Sequence, residues 1–142
     1  QPFNPHLVYA PHFRRGLARG EFALRHEAGA IFYHEWRDSR SPYRIGPSLW
    51  VQANGELKAG GVTLAAIPPG EWIRYRITCA LGREADGTWN LELTLPGGEI
   101  KTFEGLACGN PKFNRLDWFG FVSNATEETV FYLDDIRCVI QR

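Results

Sequence analysis

The chain has 142 residues, of which sixteen are basic and sixteen acidic, and 44% are hydrophobic. This length suits one domain with its own core, and the apolar content excludes a disordered chain. The balanced charge gives no overall attraction for nucleic acid or anionic lipid. No apolar run approaches the roughly 18 residues that a membrane span needs. We therefore expect neither a nucleic-acid nor a membrane partner.

The first half of the chain predicts an irregular start followed by short strands. Residues 1–14 contain three prolines and two histidines, and we expect them to wrap the edge of a sheet. Asn54-Gly55 is a strong hairpin signal between two of the strands that follow. The predicted strands are Glu21–His26, Ala30–Arg37, Leu49–Gln52, Glu56–Lys58 and Val62–Ala66.

The second half alternates apolar and polar residues with period two, which is typical of half-buried strands. Turn signals at Asp86-Gly87 and Pro96-Gly97 separate these strands, and single helical turns are expected within 107–114 and 123–128. The strands are predicted at Glu71–Cys79, Trp89–Leu95, Ile100–Phe103, Leu116–Ser123 and Thr129–Ile140. About ten strands without a sustained helix predict an all-β, antiparallel two-sheet β-sandwich or jelly roll.

One predicted strand carries a concentration of aromatic and charged side chains that suits a hydroxyl-rich ligand. Aromatic rings stack on flat ligands, and arginine forks form paired hydrogen bonds. Alternation places Trp36 and Arg37 on opposite faces, so only one of them is expected to contact the ligand. The alternative is that these residues are core and a solvated ladder of charges. The candidate ligand-binding residues are Arg25, His34, Glu35, Trp36, Arg37, Tyr43, Arg44 and Trp50.

Catalytic patterns are weak in this sequence. A glycosidase needs two carboxylates at a defined separation, but Glu35 and Asp38 differ in parity, as do Asp134 and Asp135. No serine or cysteine lies in a nucleophile motif, and the four histidines show no metal-protease spacing. A polysaccharide lyase would need a base, for which His34 or Tyr43 is the candidate. We predict no catalytic residues and a protein that is not an enzyme.

A calcium ion and a disulfide are the two stabilising devices that the sequence leaves open. Asp134, near the end of the last predicted strand, is the candidate metal ligand, because calcium prefers carboxylate and carbonyl oxygens. The alternative is that Asp134 accepts a hydrogen bond from a loop backbone. Cys79, Cys108 and Cys138 lack metal-like spacing and are either free buried thiols or, for Cys79 and Cys138, a disulfide.

Three segments resemble those of concanavalin A-like, or laminin G-like, β-sandwich domains. The run Phe131-Tyr132-Leu133-Asp134-Asp135-Ile136 is similar to their last strand, and Pro69-Gly70-Glu71-Trp72 is similar to the start of a long strand. Trp89-Asn90-Leu91-Glu92-Leu93, followed by a Pro-Gly turn, also fits. The resemblance covers roughly residues 20–140. It departs at the amino-terminal side, where no acidic residue precedes Glu21.

The resemblance implies a carbohydrate-binding module of a secreted polysaccharide-active protein, with one structural calcium. We accordingly expect residues 1–142 to form a single domain excised from a longer secreted protein. We expect it to be a monomer that binds a polysaccharide or oligosaccharide, with acidic glycans favoured by its arginines. The alternatives are a lyase or glycoside hydrolase of the same fold, or a structural or adhesive domain whose exposed aromatics form an interface.

Overall fold

The protein is described from a computed structural model, in which residues 6–125 and 128–142 are placed. Eleven strands form two antiparallel sheets that pack face to face, so the predicted β-sandwich is confirmed. The strands are β1 His6–Tyr9, β2 Gly16–His26, β3 Phe32–Arg37, β4 Ile45–Val51, β5 Glu56–Ala59, β6 Val62–Ala66, β7 Ile73–Leu81, β8 Thr88–Thr94, β9 Ile100–Ala107, β10 Trp118–Ser123 and β11 Phe131–Gln141.

The two sheets differ in size and in the way the chain visits them. The six-stranded sheet has the order β1-β10-β3-β4-β5-β6, and the five-stranded sheet has the order β11-β2-β7-β8-β9. Consecutive strands β2 and β3 therefore lie in different sheets, although β4, β5 and β6 follow β3 as simple hairpins. The chain crosses between the sheets after His26, and this crossing decides which polar side chains become neighbours.

The core lies between the sheets and is filled by the apolar members of the alternating strands. In β7, Ile73, Ile77 and Leu81 are fully buried, while Arg74 and Arg76 are exposed. Trp36, Trp89, Phe113, Phe119 and Phe121 are the largest fully buried side chains. Burying an aromatic or aliphatic side chain of this kind contributes roughly 1.5–3 kcal/mol, so the period-two pattern carries most of the stability.

Several local predictions differ from the structure in detail. The amino-terminal segment does reach a sheet edge, because His6–Tyr9 pairs with β10 as an additional strand. The expected helical turn within 107–114 is absent, and the 3-10 turn lies at Gly82–Glu84 instead. The turn expected within 123–128 includes residues outside those described. No helix in the described ranges is long and apolar enough to cross a membrane.

The three cysteines are free thiols in the described structure. Cys138 on β11 pairs with Gly20 of β2, and Cys79 on β7 faces Ala18 on the other side of that same strand. Two strand spacings, about 9.5 Å, exceed the Cα separation that a disulfide spans. The pairing of Cys79 with Cys138 that the sequence left open therefore does not occur. The Cys79 thiol instead donates to the backbone carbonyls of Thr88, at 3.6 Å, and Ala80, at 3.7 Å.

Candidate functional site

The candidate site is the outer surface of the six-stranded sheet, where β10, β3 and β4 lie side by side. Tyr33, Glu35 and Arg37 of β3 point outward here, because Phe32, His34 and Trp36 fill the core. The register places Tyr33 opposite Trp50, Glu35 opposite Ser48, and Arg37 opposite Trp118. We call this surface the aromatic face and define it as Tyr33, Glu35, Arg37, Tyr43, Ser48, Trp50 and Trp118.

A layered stack covers one part of the aromatic face. The Trp118 ring lies over Gly120, where an added Cβ atom would come within 2.2 Å of the ring. The Arg37 guanidinium carbon lies 3.9 Å from the centre of the Trp118 ring and 4.3 Å from that of Tyr43. The Trp118 ring thus packs on the backbone of Gly120, and the Arg37 guanidinium makes cation–π contacts with both Trp118 and Tyr43.

Glu35 fixes the same arginine from the side. Nε and Nη2 of Arg37 both lie 2.8 Å from Oε2 of Glu35, and the Ser48 hydroxyl donates to Oε1 at 3.1 Å. The two charged side chains are only 7% and 16% exposed, so this is a largely desolvated ion pair. Its geometry is held by hydrogen bonds and by the stack, which presents both groups in a fixed position.

A second pair of rings lies beside this ion pair along β3. The Tyr33 and Trp50 rings stack with centroids 4.4 Å apart at an interplanar angle of 22°. The aromatic face thus has rings at both ends of a polar centre made by Glu35 and Ser48. A saccharide has apolar ring faces that pack on aromatic rings, and adjacent hydroxyl groups that hydrogen-bond to polar side chains. The aromatic face carries both kinds of protein group.

The loop between β3 and β4 brings Tyr43 into position. Asp38 is buried, and its Oδ1 accepts backbone hydrogen bonds from Arg40 at 3.1 Å and from Arg44 at 2.7 Å. A bulge between β3 and β4 follows, next to Pro47, at a position where proline is tolerated because the ladder is interrupted. Asp38 is therefore a loop-shaping residue rather than a catalytic partner of Glu35.

His34 and Trp36, which were predicted to bind the ligand, lie in the core directly beneath this face. The Trp36 indole N–H donates to Nε2 of His34 at 3.0 Å, and Nδ1 of His34 donates to the Gly120 carbonyl at 2.9 Å. This pattern assigns a neutral ring. Burial lowers the pKa of His34 to about 3, against the opposing effect of the Gly120 hydrogen bond. Both side chains are buried beneath the aromatic face, His34 at 2% exposure and Trp36 at 0%.

Arg25 and Asp134 lie away from the aromatic face, whereas Arg44 lies at its edge, directly after Tyr43 in the chain. Arg25 is on β2 in the five-stranded sheet, where it approaches Glu27 and the Tyr132 ring. Arg25 is therefore not a neighbour of Glu35 and Arg37, because β2 and β3 belong to different sheets. Nη1 of Arg44 donates to the Lys112 carbonyl at 3.3 Å.

Asp134 is exposed and accepts a hydrogen bond from the backbone N–H of Asp135 at 2.8 Å. No group of three histidine, cysteine or acidic side chains comes together within the described ranges. Calcium takes six or more oxygen ligands, backbone carbonyls among them, so a calcium ion at Asp134 stays a prediction.

Trp118 and Ser48 are site residues that the sequence reasoning missed. Trp118 lies on the predicted strand Leu116–Ser123, whereas Ser48 comes just before the predicted strand Leu49–Gln52, and Trp118 has the same parity as Gly120. A glycine two residues along a strand leaves room on one face for a large ring, and this signal was available in the sequence. Trp72, by contrast, is 45% exposed and is not part of the aromatic face.

No family model matches the chain, and no curated protein is detectably similar to it in sequence. Solved structures share its fold. The endo-β-1,4-glucuronan lyase from the fungus Trichoderma reesei superposes with a TM-score of 0.66 at 13% identity, covering 98% of this chain and 75% of the lyase. A tetrameric galectin from the ball sponge Cinachyrella sp. gives 0.56 at 11% identity, covering 94% and 99%.

Lactose-liganded congerin II gives a TM-score of 0.54 at 12% identity, covering 96% of this chain and 100% of that one. These likenesses confirm the concanavalin A-like sandwich. At such identities they concern the fold alone, because one fold carries many functions.

Proposed function

We propose that this protein is a carbohydrate-binding module that holds a polysaccharide or oligosaccharide on its aromatic face. The observation that supports this most strongly is the Trp118–Arg37–Tyr43 stack next to the Glu35–Ser48 pair. Rings pack on the apolar faces of pyranose sugars, while fixed carboxylate and guanidinium groups take paired hydroxyls. The groups are held in place before binding, which lowers the entropic cost of association.

The charge of the face bears on the kind of sugar. Arg37 is neutralised by Glu35, and Arg25 lies on the opposite sheet, so two of the three arginines that favoured an acidic glycan no longer do so. Arg44 remains near the edge of the site. We therefore propose that the central subsite accepts hydroxyl pairs of a neutral sugar ring, and that acidic groups, if present, lie toward Arg44.

Affinity gel electrophoresis with a panel of polysaccharides tests the proposal, together with titrations of lactose and β-1,4-glucuronan oligosaccharides. We expect retardation by at least one glycan and weakening of roughly tenfold or more in Trp50→Ala, which removes a ring contact, and in Trp118→Ala, which releases the Arg37 side chain that the ring holds in place. Trp72→Ala is the matched control, because Trp72 is an exposed tryptophan outside the aromatic face. Retention of no glycan, or equal weakening by Trp72→Ala, would refute the proposal.

A lyase is the second candidate, because the fold is shared with a glucuronan lyase. Such an enzyme needs a base near the sugar ring and a cation that neutralises the uronate. His34 is buried and held neutral, and Arg37 is paired with Glu35, so Tyr43 is the remaining base candidate and Arg44 the remaining cation. Release of unsaturated products from glucuronan, read as new ultraviolet absorbance and lost in Tyr43→Phe, would favour the enzyme over the binding module.

We further propose that the module is a monomer attached to a secreted polysaccharide-active protein. The exposed position of Tyr43, at 48%, suits a ligand surface that is open rather than covered by another subunit. Sedimentation of the isolated chain as a dimer, with Tyr43 protected on association, would favour the structural or adhesive alternative.

A further inference from the structure

A cavity lies away from the aromatic face, at the end of the five-stranded sheet where β2 begins. It measures about 350 Å³ and is lined by His12, Phe13, Arg14, Arg15, Ile140 and Arg142. Gly16 pairs with Leu81 and Leu17 with Gln141, so the start of β2 meets the ends of β7 and β11 here. No acidic side chain is among its lining residues in the described ranges.

The arginines of this cavity are uncompensated. Within the placed residues, Arg14, Arg15 and Arg142 have no carboxylate oxygen within the 4.0 Å of an ion pair. Most arginines on the two sheets, such as Arg37, Arg74 and Arg76, do have such a partner. Three like charges around one concave surface raise the local concentration of anions.

The buried carboxylate of Asp117 fixes the orientation of the His12 ring. Its Nδ1 lies 3.1 Å from Oδ1 of Asp117, whose side chain is 3% exposed, and Arg115 holds the same carboxylate at 2.9 Å. Burial alone would raise the pKa of Asp117, but its hydrogen bonds with His12, Arg115 and Ser39 and the charge of Arg115 lower it overall. Asp117 is thus a fixed anion that engages Nδ1 and leaves Nε2 of His12 free.

The backbone at His12 is in the left-handed region, with φ of 56°. A non-glycine residue rarely adopts this conformation, which costs of order 1 kcal/mol or more and persists only where surrounding contacts impose it. Here the Asp117 contact and the pairing of Phe13 with Leu116 hold the segment. The strained residue is thus one of those that line the arginine-rich cavity.

We propose that this cavity is a binding site for an oxyanion group, a sulfate, phosphate or carboxylate, separate from the aromatic face. Arg14, Arg15 and Arg142 supply guanidinium donors, which match oxyanions in charge and in the geometry of paired hydrogen bonds. When both ring nitrogens of His12 carry hydrogen, Nδ1 donates to Asp117 and Nε2 donates to the anion.

The test follows backbone amide signals of Arg15, Gly16 and Gly82 by nuclear magnetic resonance at constant ionic strength, during titration with inorganic sulfate, inorganic phosphate or acetate. We expect saturable shifts with at least one anion, and the tightest of the three identifies the group. The double variant Arg14→Ala/Arg15→Ala should weaken binding about tenfold or more, as for loss of a charge-assisted hydrogen bond. His12→Gly, which removes the ring and suits the backbone, should weaken it less.

Arg19→Ala is the matched control, because Arg19 lies on β2, which begins directly after Arg15, and is not among the residues that line the cavity. Its affinity should stay within about twofold of the wild type. Shifts that never saturate, or equal weakening by Arg19→Ala, would overturn the proposal by showing only general attraction to positive charge. Glycan binding that is unchanged in the double arginine variant would separate this site from the aromatic face.

Discussion

The outer faces of the two sheets both carry ion pairs between arginine and acidic side chains, but these pairs differ in how far they are exposed to solvent. On the five-stranded sheet, which we call the charged face, Arg76 contacts Glu21 and Glu92, and Arg74 contacts Asp135 at 2.8 Å. The side chains of Arg76 and Arg74 are 50% and 64% exposed. On the aromatic face, Arg37 is 16% exposed because Trp118 and Tyr43 cover it.

The difference shows that neighbouring aromatic rings decide whether an ion pair becomes a rigid feature. Exposed pairs gain little, because water screens them and both side chains lose freedom. A covered pair is expensive to desolvate but strongly coupled, so removal of one partner leaves an uncompensated charge. We therefore expect the aromatic face to be the more rigid of the two and the more sensitive to substitution.

The largest contrast is expected from matched glutamate substitutions on the two faces. Glu35→Ala strands the covered Arg37 and should lower the free energy of unfolding by about 3 kcal/mol. Glu21→Ala breaks an exposed pair with Arg76 and should cost less than about 1 kcal/mol. Urea denaturation monitored by tryptophan fluorescence measures both. Similar losses for the two variants would mean that the rings do not shield the Glu35–Arg37 pair.

Acid should weaken the support under the aromatic face through His34. Its pKa is lowered to about 3 in the fold but is about 6.5 in an unfolded chain. Between these values the unfolded state binds more protons, so this contribution to stability is full above pH 6.5 and falls as pH decreases, by up to about 1.4 kcal/mol per pH unit.

Burial lowers the pKa of His26 as well, although Glu27 opposes the shift, so His26 adds to the loss in the same direction. Urea midpoints from pH 7 to 4.5 measure the total. Nitrogen-15 spectra should show the His34 ring neutral and Nδ1-protonated throughout this range. A His34 ring that titrates near pH 6 would contradict the buried network with Trp36 and Gly120.

A single methyl group added at Gly120, beneath the Trp118 ring, should disturb the aromatic face. In Gly120→Ala the added Cβ would meet the Trp118 ring at 2.2 Å, so the ring must move and the Arg37 stack must open. We expect a loss of about 1–3 kcal/mol in stability and weaker glycan binding. Gly61→Ala is the control, because no atom lies within 4 Å of its added Cβ. An unshifted Trp118 in a crystal structure of Gly120→Ala would disprove the stack.

The smallest effects are expected on the charged face. Arg74→Ala and Arg76→Ala should each change the free energy of unfolding by less than about 1 kcal/mol and leave glycan binding unaltered. Their remaining effect should shrink further at high salt, which screens exposed charges. Loss of glycan binding in either variant would show that the charged face, rather than the aromatic face, holds the ligand.

Much of the fold was predictable because alternation is a local property. Val62–Ala66 was predicted with its observed limits, and the Asn54-Gly55 turn joins β4 to β5 as expected. Most other strands were displaced by a few residues at one end. The amino-terminal strand β1 was missed because its pairing with β10 is a contact between residues more than a hundred positions apart.

Part of the candidate site was predictable for the same reason. The alternating pattern predicted that Glu35 and Arg37 share one face of the strand and that Trp36 lies on the opposite face. It did not state which side is the core, nor that Trp118 and Tyr43 would close on Arg37 from β10 and from a loop. His12 and Asp117, 105 positions apart, carried no shared signal at all.

The sequence by itself determined the all-β class, most of the strands and the sets of residues that share a face, since these follow from the two-residue period of a strand. Only the tertiary structure decided that β2 and β3 belong to different sheets. The site therefore excludes Arg25, which was predicted, and includes Trp118, which was not. Sheet membership depends on long-range pairing and on which face buries more apolar area. Neither quantity is contained in the local pattern of a single strand.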